Sequence, residues 1–243
     1  MDATGRRRAI VLAVAALALT AGCAGFGGGI DRSALDDPAS YDWNRSANAT
    51  YDVMKDKSFS AILEINNRSQ VQLYRHGEFR GDRPVTPAAL RFRYPNGTVV
   101  NASAITVSIR NSRTVVEPPA RHGKLAFTGD AATKHFGIRV TVRGSHEVIL
   151  PPNMRVGVFL FGSVDPGGYQ RTIRNDRVHL RWADLDNGAI SVRYYLERDF
   201  YLFSALVAFL LAAAVVGVAL FQLEIRRLRS RREDVALDVD QED

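Results

Sequence analysis

Ser58-Phe59-Ser60-Ala61-Ile62-Leu63-Glu64-Ile65 sets Phe59, Ala61, Leu63 and Ile65 against Ser58, Ser60 and Glu64. Successive side chains of an extended chain point to opposite sides. An apolar residue at every second position therefore gives a strand with one face in a core and one in solvent. The same period of two returns in Leu90, Phe92 and Tyr94 around Arg91 and Arg93, and in Ile105, Val107 and Ile109. It recurs in Ile138, Val140 and Val142, in Val178, Leu180 and Trp182, and in Ile190, Val192, Tyr194 and Leu196. No stretch between 43 and 198 carries a sustained helical period with caps. Pro95-Asn96-Gly97-Thr98 and Asp165-Pro166-Gly167-Gly168 read as turns between such runs. The expected fold is all-β and antiparallel, with about ten or eleven short strands over residues 43–198. They would form one immunoglobulin-like sandwich or two small sandwiches in tandem. With two, the break is expected at Glu117–Gly123, around Pro118-Pro119.

Two apolar segments flank this region. Arg6-Arg7-Arg8 precedes the run Ala9–Leu19 and then Thr20-Ala21-Gly22-Cys23; Phe200–Phe221 carries no charge and is followed by Arg226, Arg227, Arg229, Arg231 and Arg232. Crossing a bilayer takes about 20 apolar residues, so the second segment is long enough and the first is not. Residues 1–22 read as a cleavable signal peptide ending in a lipobox, with Cys23 to carry the lipid, although Thr20 stands where bacterial lipoboxes usually have Leu. Residues 23–42, with Gly25, Gly27, Gly28 and Gly29, read as lipid anchor and flexible tether. Residues 199–222 read as a C-terminal transmembrane α-helix, with Tyr194, Tyr195 and Tyr201 at its outer boundary and its arginine flank inside. Residues 223–243 then form a cytoplasmic tail, basic first and acidic after. This places the chain as a single-pass protein of the cell membrane with residues 43–198 outside.

Cys23 is the only cysteine, so no internal disulfide can hold the exterior region and its core must do so alone. Asn44, Asn48, Asn67, Asn96 and Asn101 each open an Asn-x-Ser/Thr sequon, which marks them as glycosylation candidates on an exterior surface. Residues 24–198 hold 24 Lys and Arg against 17 Asp and Glu, a net of +7. Arg91, Arg93, Arg110, Arg139, Arg143, Arg181 and Arg193 fall on or beside outward strand positions. They read as a solvated face or as an anion-contact face for acidic glycans, lipid headgroups or an acidic neighbour. Nucleic acid is not an expected partner, because the face lies outside the cell and lacks regularly spaced stacking aromatics.

Little points to chemistry. The five histidines, His76, His122, His135, His146 and His179, are scattered without metal-ligand spacing, and His179 reads as a solvated strand residue. Asp184 and Asp186 beside Asn187-Gly188 read as a turn rather than a carboxylate pair. No nucleophile elbow, phosphate loop or dinucleotide fingerprint occurs, so no catalytic residue, metal or cofactor is assigned.

Several stretches carry a resemblance. They are Thr20-Ala21-Gly22-Cys23, Arg91-Phe92-Arg93-Tyr94-Pro95-Asn96-Gly97-Thr98, Leu150-Pro151-Pro152-Asn153-Met154-Arg155-Val156-Gly157 and Phe159-Leu160-Phe161-Gly162. Pro166-Gly167-Gly168-Tyr169, Asp176-Arg177-Val178-His179-Leu180-Arg181-Trp182 and Ser191-Val192-Arg193-Tyr194-Tyr195-Leu196 join them. Together they resemble an uncharacterised haloarchaeal membrane lipoprotein family, a domain of unknown function (number 5803). The resemblance implies an archaeal surface, an archaeal lipid on Cys23 and N-glycans on some sequons; it brings no activity and no catalytic residues. A sequence pI near 9.7 departs from the acidity usual in that setting. In molar salt the Debye length shrinks to about 3 Å, leaving the arginines only direct contacts.

The expected function is a binding or assembly module of the cell envelope, with an envelope or membrane protein as partner. A structural link between membrane and surface layer, or an unrecognised envelope enzyme, are the alternatives. With one cysteine in the chain, a thiol reductant should leave thermal unfolding of the exterior region unchanged. A downward shift in Tm on adding dithiothreitol would show that a disulfide between two copies, through Cys23, contributes to its stability.

Overall fold

The structure is a computed structural model, and it describes residues 30–77, 81–158 and 161–239. The signal peptide, Cys23 and residues 24–29 of the tether lie outside the described residues. The chain is mostly β-sheet and closes with one long helix, as expected.

In chain order a short helix α1 (Arg32–Leu35) precedes β1 (Ala49–Val53), β2 (Ser58–Asn66), β3 (Val71–Gly77), β4 (Gly81–Pro84) and β5 (Ala88–Arg93). Next come β6 (Val99–Val100), β7 (Thr106–Arg110), β8 (Arg113–Glu117), β9 (His122–Asp130), β10 (His135–Arg139) and β11 (Gly144–Ile149). The last are β12 (Met154–Arg155), β13 (Ser163–Asp165), β14 (Gln170–Arg174), β15 (Arg177–Leu185), β16 (Ala189–Arg193) and β17 (Tyr195–Leu196), before helix α2 (Glu197–Val239). The strands outnumber the ten or eleven expected because several pair over only two or three residues, too few to show a period.

These elements divide into two compact units, one holding residues 30–45 and 60–130 and the other 46–59 and 131–239. The first unit has one sheet ordered β2-β9-β5-β6 and a second ordered β4-β3-β8-β7. Leu63, Leu90, Phe92 and Leu125 of the one sheet and Leu73 and Val116 of the other are buried. The break expected at 117–123 falls inside this unit, where it carries the chain from β8 to β9. Pro118 and Pro119 end the pairing of β8 because they offer no N–H to a ladder. Gly123 follows at φ +149°, and a Cβ there would lie 2.5 Å from the Arg93 carbonyl oxygen. The two prolines and this close approach mark a strand junction, not a domain boundary.

From residue 30 the expected flexible tether is a strap laid on the first unit. Asp31 caps α1 by accepting from the Ser33 and Ala34 amides, and Leu35 is buried to 5% exposure. Tyr41 packs with Ile62 and Ala126, beside Trp43, and its hydroxyl donates to the Ala89 carbonyl at 2.7 Å. Burial pushes the Tyr41 phenol up to about 12. Lys124 Nζ donates to the Trp43 and Arg45 carbonyls at 2.8 and 3.0 Å.

The second unit has sheets ordered β14-β15-β11-β1 and β10-β16-β13, and the two-stranded ladder β12-β17. Its pairings are antiparallel except β1 with β11, which run parallel from Ala49 opposite His146 to Asp52 opposite Ile149. This departs from a purely antiparallel sandwich. Tyr51, Phe59 and Phe136 form an aromatic centre with ring centroids 5.2 to 6.4 Å apart. Asn48 ties β1 to the start of β11, its Oδ1 accepting from the amide and hydroxyl of Ser145, both at 2.9 Å.

His146 stacks on Tyr51 in this core, with no exposed surface. Its Nδ1 lies 2.8 Å from the Gly144 carbonyl, while Nε2 is buried without a hydrogen-bond partner. Burial lowers its pKa below the ordinary histidine value of about 6.5. The unfolded chain therefore takes up the proton first as pH falls. The stability contributed by neutral His146 is full above about pH 6.5 and declines below it, towards the lower folded-state value. Wild-type Tm should fall over that window, and His146→Phe should flatten the fall. Equal pH slopes for the two proteins would remove His146 from the account.

Candidate functional site

The last strand of the second unit runs directly into the apolar helix. β17 pairs with β12 through Met154 opposite Leu196 and Arg155 opposite Tyr195, and α2 begins at the next residue, Glu197. The Glu197 amide donates to the Asn153 carbonyl at 3.0 Å, so the first turn of the helix is bound to the β12 turn.

Charged side chains tighten this junction. Arg155 Nη2 lies 2.7 Å from Glu197 Oε2 and 2.8 Å from Asp176 Oδ1, bridging the helix to the turn between β14 and β15. The Arg155 hydrogen bond holds the Asp176 carboxyl below the usual carboxylate range, and the same bond raises the guanidinium. On the opposite side, Lys134 Nζ lies 2.9 Å from Asp199 Oδ2. Aromatic rings complete the contact. Phe161 has its centroid 5.6 Å from Tyr195, 6.0 Å from Phe200 and 5.1 Å from Phe203. Such ring pairs are each worth about 0.5–1.5 kcal/mol beyond area burial.

Beyond this collar the helix leaves the fold. Glu197–Arg226 is long and apolar enough to cross a membrane, and from Tyr201 to Glu224 every residue is exposed. Phe209 and Val215 are both 69% exposed. That much apolar surface in water is unfavourable by about 25 cal/mol per Å², which a hydrocarbon environment removes.

The sequence-predicted residues are scattered. Cys23 lies outside the described residues. Asn44, Asn67, Asn96 and Asn101 are exposed, all in the first unit; Asn48 is half-buried and engaged with Ser145. Of the seven arginines, Arg91, Arg93 and Arg110 belong to the first unit and Arg139, Arg143, Arg181 and Arg193 to the second. Arg91 is not an open anion contact. Its guanidinium donates to the carbonyls of Leu35, Asp36 and Asp37 at 3.4, 3.2 and 2.8 Å, fastening the strap. Arg110 lies 3.9 Å from Glu117, and Arg181 donates to Ser46 at 3.3 Å. His179 is not solvated either: its Nδ1 lies 2.9 Å from Glu147 Oε1, with the two side chains 13% and 12% exposed. Among the described residues no three His, Cys, Asp or Glu side chains gather as a metal ion would require.

Lys134, Arg155, Phe161 and Asp176 were not legible as one site, because they sit on four separate turns and strands. The pair Glu197 and Asp199, just ahead of the uncharged run, was the one local feature, and in sequence it reads simply as acids favoured by the positive end of a helix.

The arrangement defines a β-sheet protein with one candidate membrane-spanning helix set directly against its second unit. The sequence model of a family of unknown function (DUF5803) matches residues 45–240, and the chain belongs to that family. No curated protein matches the chain, and no solved structure does.

Replacing Arg155 by Ala would leave Glu197 and Asp176 facing each other without their cation. The partly exposed Arg155–Glu197 pair, at 2.7 Å, is worth about 1 kcal/mol. Local opening of the first helical turn should then be about fivefold more frequent. Trypsin cleavage after the exposed Arg198 should accelerate by that factor in Arg155→Ala, while an unchanged rate would show the ion pairs do not secure the junction.

Proposed function

We propose that this chain is a surface protein of an archaeal cell envelope whose exterior region acts as a binding or assembly module held against the membrane. In this reading lipid on Cys23 and the helix at 199–222 anchor it, and the arginine-rich tail of 223–243 lies in the cytoplasm. The junction at Leu196–Glu197 supports the reading best: β17 gives way to α2 without an intervening residue, and ion pairs and an aromatic collar secure the step. A domain fixed in this way presents its surfaces at a set height and angle over the bilayer, which suits docking to a membrane neighbour more than reaching for distant ligands. The lipid on Cys23 would act positionally, since one chain adds only marginal binding beside a spanning helix. Glycans on Asn44, Asn67, Asn96 and Asn101 would clothe the first unit and leave the second, which has no exposed sequon, open for contact.

Crosslinking in intact cells through a tag on the tail, followed by mass spectrometry, tests this. The expected result is a reproducible membrane or secreted protein crosslinked to the second unit or to the helix. Recovery of surface-layer protein alone would replace the reading with a structural link, and recovery of nothing would overturn it.

A further inference from the structure

The sheet β10-β16-β13 places three polar side chains in one row. Arg193 on the central strand lies opposite His135 on one side and Ser163 on the other. Phe136 and Val192, the next residues, are buried, so by strand alternation the row faces outward. Residues opposite one another in a sheet hold their Cβ atoms about 5 Å apart, within reach of a single small ligand.

This row borders a cleft of about 380 Å³ whose wall includes Lys134, His135, Arg193, Phe161, Tyr195 and Asp199. Asp199 belongs to the first turn of α2, one residue before the uncharged run that starts at Phe200. The cleft therefore sits at the point where the helix becomes apolar.

Its charges are unevenly matched. Lys134 is paired with Asp199 at 2.9 Å, and His135 Nε2 lies 3.1 Å from Ser191 Oγ. Arg193 is exposed, and among the described residues its guanidinium makes no hydrogen bond and no ion pair. One cationic fork is thus left over, with hydrogen-bonding groups beside it. Phe161 and Tyr195, 5.6 Å apart, supply an apolar wall on the side of the helix. A ligand with an anionic head and an apolar body matches both halves. A guanidinium fork fits phosphate oxygens in bidentate fashion.

We propose that this cleft binds the phosphate of an anionic membrane lipid, with Arg193 as its main contact, Lys134 and His135 beside it, and the lipid body against Phe161 and Tyr195. The proposal rests on the reading that α2 crosses a bilayer. A soluble phosphate compound would offer Arg193 the same chemistry, but it would make no use of the apolar wall or of the cleft's place at the head of the span.

The test uses the full chain in nanodiscs of phosphatidylcholine containing a minor fraction of phosphatidylglycerol, with native mass spectrometry of the lipids retained on release. Co-elution with the nanodisc is scored first, and failure to insert would overturn the membrane reading itself. In inserted protein, wild type should retain phosphatidylglycerol about fivefold above its share of the bilayer, as expected for one arginine near a lipid surface. Arg193→Gln should lose that preference, and Arg174→Gln, an exposed arginine outside the cleft, should keep it. Equal retention in wild type and Arg193→Gln would overturn the site. Loss of the bound lipid to excess glycerol phosphate would overturn the lipid assignment in favour of a soluble ligand.

Discussion

Leu196 ends a strand and Glu197 begins a helix, with no residue between them. That absent linker is the constraint from which the rest follows. A strand paired to β12 cannot rotate freely, so the helix leaves the second unit in a direction set by the sheet. The fold then stabilises that direction three ways. Arg155 draws Glu197 towards Asp176, Lys134 holds Asp199, and Phe161 packs on Phe200 and Phe203. The charged pairs stop where the uncharged run starts, and the rings straddle the boundary. That order, polar contacts first and apolar ones after, is the one a chain passing from water into hydrocarbon would need.

The two units solve the problem of a core without disulfides in related ways. The second gathers Tyr51, Phe59 and Phe136 into one aromatic centre and leaves His146 neutral beside it. The first extends its core outward under the strap, where Leu35 and Tyr41 are buried and Arg91 satisfies three carbonyls that lie outside regular sheet. Backbone groups lacking a ladder partner need another one, and a guanidinium fork offers several donors at once. An arginine that looked like a ligand contact in sequence is in this way part of the scaffold.

The alternation in Ser58–Ile65, Leu90–Tyr94 and Val178–Trp182 was enough to find β2, β5 and β15, since each has one buried and one wet face. Phe200–Phe221 was equally plain, because an uncharged run of that length has few other uses. Gln170–Arg174 was not legible: all five residues are exposed, and an edge strand with no buried face leaves no period. β12 and β17 are too short to show one. The division into units escaped for a different reason. It joins residues 46–59 to residues after 130, and sequence order carries no trace of such a return. The junction site was hidden likewise, since Lys134, Arg155 and Asp176 approach Glu197 and Asp199 only after folding.

The most direct measurement of the central claim is a spin-label distance within the second unit and its helix. Labels at Ala183, exposed on β15, and Ser204, in α2 just beyond the collar, would be read by pulsed dipolar spectroscopy in nanodiscs, with Cys23 replaced by Ser. A junction without a linker predicts a single narrow distance distribution. A broad distribution, as a domain swinging on its anchor would give, would contradict the account.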